Sequence, residues 1–212
     1  MKKIKNLSAF ALALVLLLTL VGCGGKDDGG SQKKEYAPAT VENNVYTSQF
    51  AGLTATLDES WTVLNDEEIA QIVGFSIDMT DDAALKESLG SGKTIYDMYA
   101  MATDSSTLNI TVGDLGAIYG KLLDMKTLAQ SSAEQLVPAF ESMGFTDVTA
   151  EVSTISFAGA EQTTIILQGN YQGVPMYEQL VCMKVDDYVL NITACSYGTD
   201  RTAEILSLFQ PL

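Results

Sequence analysis

Val181 to Tyr197 reads VCMKVDDYVLNITACSY, two alternating runs on either side of Asp186-Asp187. A two-residue turn there pairs Val185 with Tyr188 and puts Val181, Met183, Leu190 and Ile192 on one apolar face. Cys182 then opposes Asn191, and Cys195 opposes Glu178, both on the other face. Four positions along a strand span about 13 Å at 3.3 Å per residue, beyond the roughly 7 Å that a disulfide tolerates between Cα atoms. Two reduced thiols are therefore expected in an antiparallel hairpin.

The same alternation extends upstream. Strands are expected at about Val148 to Phe157, Glu161 to Tyr171 and Val174 to Val185, separated by the turn pairs Ala158-Gly159 and Gln172-Gly173. Before them, Met125 to Met143 carries Leu128, Ala129, Ser132, Leu136 and Phe140 at spacings of three and four, one buried helical stripe. Gly144 supplies its stop, with Phe145 as a packing contact. TIYDMYAMAT and STLNITVGDL read as two more strands; strict alternation would place Tyr96 and Tyr99 on opposite faces. VYTSQF and LTATL flank Ala51-Gly52 as a hairpin, with Trp61 packing beside it. Asn65, with Glu68 three residues on, opens a short helix as a capping box, a second runs from Thr80-Asp81-Asp82 to Leu89, and a last one is expected from Asp200 to Phe209. The fold class is α+β, a mostly antiparallel sheet of about seven strands flanked by helices.

The N-terminus is of another kind. Lys2, Lys3 and Lys5 precede an uncharged run from Leu7 to Val21, shorter than the roughly 20 residues of a spanning helix and built like an export signal. It ends in Leu20-Val21-Gly22-Cys23, which resembles the lipobox of bacterial lipoproteins. That resemblance implies a signal peptide at 1–22, diacylglyceryl attachment at the Cys23 thiol and placement on the extracytoplasmic face of the cell membrane. Two acyl chains on one residue suffice for stable anchoring. Residues 23–44, rich in glycine and charge, are expected to be a flexible tether, leaving 45–212 as a single domain. Removing 1–22 takes three of the 12 basic residues and none of the 27 acidic ones, leaving 9 against 27, a net charge of −18. Such a charge opposes nucleic acid and anionic lipid surfaces.

The chain has no histidine, which excludes Ser-His-Asp and Cys-His nucleophiles. Cys182 and Cys195 lack the paired spacing of a thiolate metal site. DMTDDA at Asp78 imitates the start of a calcium loop but lacks its sixth-position glycine and twelfth-position glutamate. LGSGKT at Leu89 is half of a phosphate loop. No cofactor, metal or catalytic residue is expected. Carboxylates remain, but the densest groups, Asp66-Glu67-Glu68, Asp81-Asp82 and Asp186-Asp187, fall at helix entries and turns where water should solvate them.

FAGLTATLDESW, the helix ending ESMGFTDV, the turn after TISFAGAE, and VDDYVLNIT before a terminal helix together resemble the PsbP-like superfamily over about Val45 to Leu212. The resemblance implies an α/β/α sandwich. Its best-known members act by association, which implies a non-catalytic binding module for a protein partner or envelope component. Two alternatives carry distinct signatures: a carboxylate-dependent glycan hydrolase needs two acids converging in a cleft, and a small-ligand carrier a deep apolar pocket.

Replacing Cys23 by Ser tests the anchor. Cys23→Ser should leave the protein unprocessed or released into the soluble fraction on membrane fractionation, and a cleaved variant that stays membrane-bound would contradict the lipidation.

Overall fold

Seventeen residues of alternation do form the hairpin at the centre of the structure. The computed structural model describes residues 34–212 apart from 74–81, 92, 117–119, 121 and 123; the expected signal peptide, Cys23, the first part of the tether and Asp78 lie outside the described residues. In chain order the elements are β1 (Thr40–Glu42), β2 (Val45–Ser48), β3 (Leu53–Thr56), β4 (Trp61–Val63), α1 (Asp66–Val73), α2 (Asp82–Gly90), β5 (Ile95–Ala102), β6 (Thr107–Asp114), α3 (Met125–Ser142), β7 (Thr146–Phe157), β8 (Ala160–Tyr171), β9 (Val174–Val185), β10 (Tyr188–Tyr197), α4 (Thr202–Leu206) and β11 (Phe209–Pro211). Among the described residues no helix is long and apolar enough to cross a membrane.

Val185 pairs with Tyr188, Cys182 with Asn191 and Cys195 with Glu178, so the register follows the turn. The turns at Ala158-Gly159 and Gln172-Gly173 hold both central residues at positive φ, the twist that matches right-handed strands. The resulting seven-stranded antiparallel sheet has the order β4-β5-β6-β10-β9-β8-β7. On its back face lie α3, through Ala129, Ala133, Leu136 and Phe140, and α1, through Ile69. Both helices are fixed by their ends. Asn65 and Glu68 exchange side chain to backbone hydrogen bonds of 3.0 Å at the start of α1. Asp124 Oδ2 accepts from Thr127 N at the start of α3, while its end closes with Phe145 N donating to Phe140 O and Gly144 N to Glu141 O. The Phe140 and Phe145 rings meet at 5.1 Å, the apolar contact that accompanies this stop.

The front face carries a second, four-stranded sheet of order β1-β2-β3-β11, packed with α2 and α4 against Ile110, Leu190 and Ile192. The α+β class with helices flanking an antiparallel sheet is as the sequence implies; the second sheet is not legible there. Its last strand replaces the end of the expected C-terminal helix. That helix stops at Leu206, and Phe209 pairs with Ala55 in β3. Burying the Phe209 ring against Tyr46 and Phe157 outweighs one more helical turn, since a buried aromatic contributes about 2 kcal/mol.

Two further expectations are corrected. The tether does not reach Asn44: Tyr36 is buried, its ring packs on Phe50 at 5.2 Å, and β1 pairs with β2. Glycine-rich sequence ends before Tyr36, and that ring brings the chain onto the core. Tyr96 and Tyr99 share a face, with ring centroids 6.0 Å apart, because the register between β5 and β6 shifts between Tyr96 and Met98. The extra residue is Asp97, and a bulge re-aims whatever occupies it.

Asp97 is aimed at the second sheet. Its carboxylate accepts from Tyr36 Oη at 2.5 Å, Tyr46 Oη at 2.6 Å and Ala39 N at 3.0 Å. Burial, then the Asp97 charge, pushes both phenol pKa values well up, so both hydroxyls remain donors. Asp97→Ala would leave two buried hydroxyls without an acceptor, each costing about 1–3 kcal/mol. Urea unfolding should show a loss of roughly 2–5 kcal/mol, against about 1 kcal/mol for Tyr36→Phe, which removes one of three donors.

Candidate functional site

Between the tip of the β7–β8 hairpin and the segment from α4 to β11 lies a groove of about 440 Å³, within the range of about 300–1,000 Å³ typical of ligand sites. Ile155 and Phe157 come from the β7 side and Leu206, Phe209 and Pro211 from the α4–β11 side; the Phe157 and Phe209 rings meet at 5.3 Å and close its floor, with Gln179 of β9 also in the lining. Ala203 of α4, Ser207 at its C-terminal cap and Gln210 of β11 are exposed at its lip. Among the described residues that line it none is ionisable. The Ser207 hydroxyl donates to Glu204 O at 2.6 Å and is committed to capping its helix. Such a surface offers shape, apolar contact and amide or hydroxyl hydrogen bonds.

Glu178 lies one residue away in sequence and on the opposite side of the sheet. Its row on the back face runs Thr107, Cys195, Glu178, Leu167 across β6, β10, β9 and β8. The next row holds Tyr99, Asn109, Thr193 and Leu180. Between the footprints of α1 and α3 the back face is thus polar and buried. Glu178 is 2% exposed, and neither its Oε1 nor the Nδ2 of Asn109 has a hydrogen-bond partner. Burial pushes the Glu178 carboxyl up to about 8. A carboxylic acid with that value has the proton affinity of a general acid, but here it is buried on the back face, and the sheet separates it from the groove.

Sequence reasoning missed Glu178. Its signal was available: a lone acid inside a 12-residue strand, on the face that the hairpin register gives to Cys195, cannot reach a turn or a helix end. The acids singled out divide. Asp66, Glu67 and Glu68 are exposed at the start of α1, and Asp186 is exposed at its turn; Asp81 lies outside the described residues. Asp187 is not solvated as expected. It is buried beneath Gly120, where an added Cβ would come within 2.9 Å of the Asp187 backbone. Trp61 is buried in β4 with the main core. Cys182 and Cys195 are free and buried, and burial pushes the Cys182 thiol up to about 12 and that of Cys195 well up, which leaves both unreactive. Among the described residues no group of three or more His, Cys, Asp or Glu comes together.

No protein-family model matches the chain, and no curated protein matches it. Two solved structures are similar in part. One is a protein from Bacteroides thetaiotaomicron, 10% identical with a TM-score of 0.42 over 83% of this chain and 48% of that one. The other is LpqN of Mycobacterium tuberculosis, described as involved in cell envelope biogenesis, 11% identical with a TM-score of 0.41 over 74% of this chain and 76% of that one. The chain thus spans about half the length of the first. Neither likeness bears on function.

The buried acid makes stability depend on pH. The folded state keeps a proton that the unfolded chain releases above the ordinary value of 4.5, so the contribution of Glu178 is fullest below that pH and is lost as pH rises to about 8. Its slope is at most about 1.4 kcal/mol per pH unit. Glu178→Gln keeps the shape without the titration. Urea unfolding at pH 5, 6.5 and 8 should show the variant gaining on the native protein at each step, whereas parallel curves would mean that the carboxyl is not held protonated.

Proposed function

We propose that this protein is a lipid-anchored, extracytoplasmic binding module that holds a polypeptide partner in the groove between the β7–β8 hairpin and the α4–β11 segment. The carrying observation is the lining of that groove: an apolar floor at Phe157 and Phe209, Ile155 and Pro211 more open beside it, amide and hydroxyl groups at the lip, and no ionisable side chain among the described residues that line it. Apolar walls supply affinity and a few uncharged polar groups supply orientation. Acid–base or nucleophilic chemistry needs a titratable group at the substrate, and the acid with a raised pKa lies across the sheet. The placement at the membrane rests on Leu20-Val21-Gly22-Cys23. The resemblance to the PsbP-like superfamily supports association as the mode of action.

Exposed lip positions allow a test that spares the core. A photo-crosslinking residue at Gln210 should capture one discrete polypeptide in intact cells, and Ala203→Trp, which fills the groove from an exposed helical position, should reduce that adduct at least several-fold. Capture of a small molecule instead would favour the carrier, and an adduct indifferent to Ala203→Trp would remove the groove from consideration.

A further inference from the structure

Two sheets have four edges, and three of them are blunt. β1, β4 and β11 are three residues long, and β11 ends in Pro211, which has no N–H to offer. β7 has 12 residues and among the described residues pairs only with β8, with one register irregularity at its start, between Thr146 and Thr149. Proteins normally suppress a long open edge with lysine, proline, a bulge or a covering element. From Thr149 to Phe157 the pairing with β8 is regular, and the run TAEVSTISF has no proline and a single charge, Glu151. The same strand supplies Ile155 and Phe157 to the groove. An open row of backbone groups beside a side-chain pocket is what recognition by strand addition requires.

Charge names the occupant. Between Lys126 and Lys184 there is no lysine or arginine, against the exposed Glu134, Glu141, Asp147, Glu151 and Glu161, Glu178 being buried. β7 and β8 therefore present acid with no basic residue, α3 carries Lys126 against Glu134 and Glu141, and the chain as a whole carries −15. A second copy would bring the same sign to the same edge. On β7, Glu151 and Ile155 lie four residues apart and so share a face with each other and with Phe157; Glu151 is exposed and Ile155 half-buried.

We propose that β7 receives an extended basic segment of a partner protein as an eighth, antiparallel strand, with a lysine or arginine opposite Glu151 and an apolar residue four positions away opposite Ile155, at the groove. The inference deepens the groove reading and rests on it. Backbone bonds along β7 give affinity, and the cross-strand charge pair fixes register and excludes acidic segments.

A synthetic nine-residue peptide of valine and threonine, with lysine and isoleucine four positions apart, is the probe, used with the full chain. Its binding should slow amide exchange at alternate residues of Thr149 to Phe157, measured by nuclear magnetic resonance. Glu151→Lys, at an exposed position, should weaken that peptide roughly five-fold and favour one with glutamate in place of lysine by a similar factor. Binding that Ala203→Trp abolishes but Glu151→Lys leaves unchanged, or that protects no β7 amide, would overturn strand addition while leaving the groove reading intact. Self-association through β7 without peptide, seen by sedimentation with those amides already protected, would also overturn it. The absence of any Gln210 adduct in the otherwise native protein, or an adduct that Ala203→Trp leaves unchanged, by contrast, removes the groove reading itself.

Discussion

One carboxylate joins the two sheets. Asp97 sits where β5 gains a residue against β6, and it accepts from two phenols and an amide that all belong to the N-terminal part of the domain. A regular strand would have kept alternation and left the layers to rely mainly on apolar contact, which is non-directional. Three hydrogen bonds to one ionised group are directional and roughly twice as strong as neutral ones. They fix where β2 lies over β5, β2 fixes β3, and β3 pairs with β11. The position of Phe209, and with it one wall of the groove, follows from a bulge more than a hundred residues earlier in the chain.

What could be read in the sequence divides along the range of the interactions. The β7 to β10 meander, the capping box at Asn65 and the stop at Gly144 are local patterns with local causes, and each is present. The second sheet is made of pieces three and four residues long, too short for alternation to register, and its pairing of β3 with β11 spans nearly the whole domain. Tyr36 was hidden for a related reason. A lone aromatic in a polar run looks like part of a tether until its acceptor, Asp97, is seen. Tyr96 and Tyr99 mislead because a bulge is one residue of irregularity that no periodicity announces. Of the candidate site, Gln179 and Glu178 could be assigned to opposite faces from the hairpin register, but the groove requires β11, and β11 requires Asp97.

Adjacent residues of β9 thus serve opposite faces with different physics. Gln179 looks onto the groove, where a neutral amide can hold a ligand group. Glu178 is buried on the back face, between the footprints of α1 and α3, with a proton it would shed in water. The asymmetry follows from the covering layers. α3 brings a continuous apolar stripe, with Leu136 and Phe140 almost wholly buried, and seals what lies under it. The second sheet ends at a three-residue strand, and the groove lies beside it.

A 12-residue open edge would ordinarily lead copies of a protein to pair with one another. Here the remaining edges are blunt by length, and β7 is guarded by sign. Every copy brings Glu151 on the strand, Asp147 and Glu161 beside it, and no basic residue on α3, β7 or β8 between Lys126 and the end of β8. Exposed charges repel over roughly 8–10 Å at physiological ionic strength, about two strand spacings at 4.8 Å, so the repulsion acts where a second β7 would have to dock. It is absent for a neutral strand and reversed for a basic one. Guarding an edge by charge leaves its backbone available, as shortening or proline would not, and that is the condition under which a strand can be both soluble and receptive.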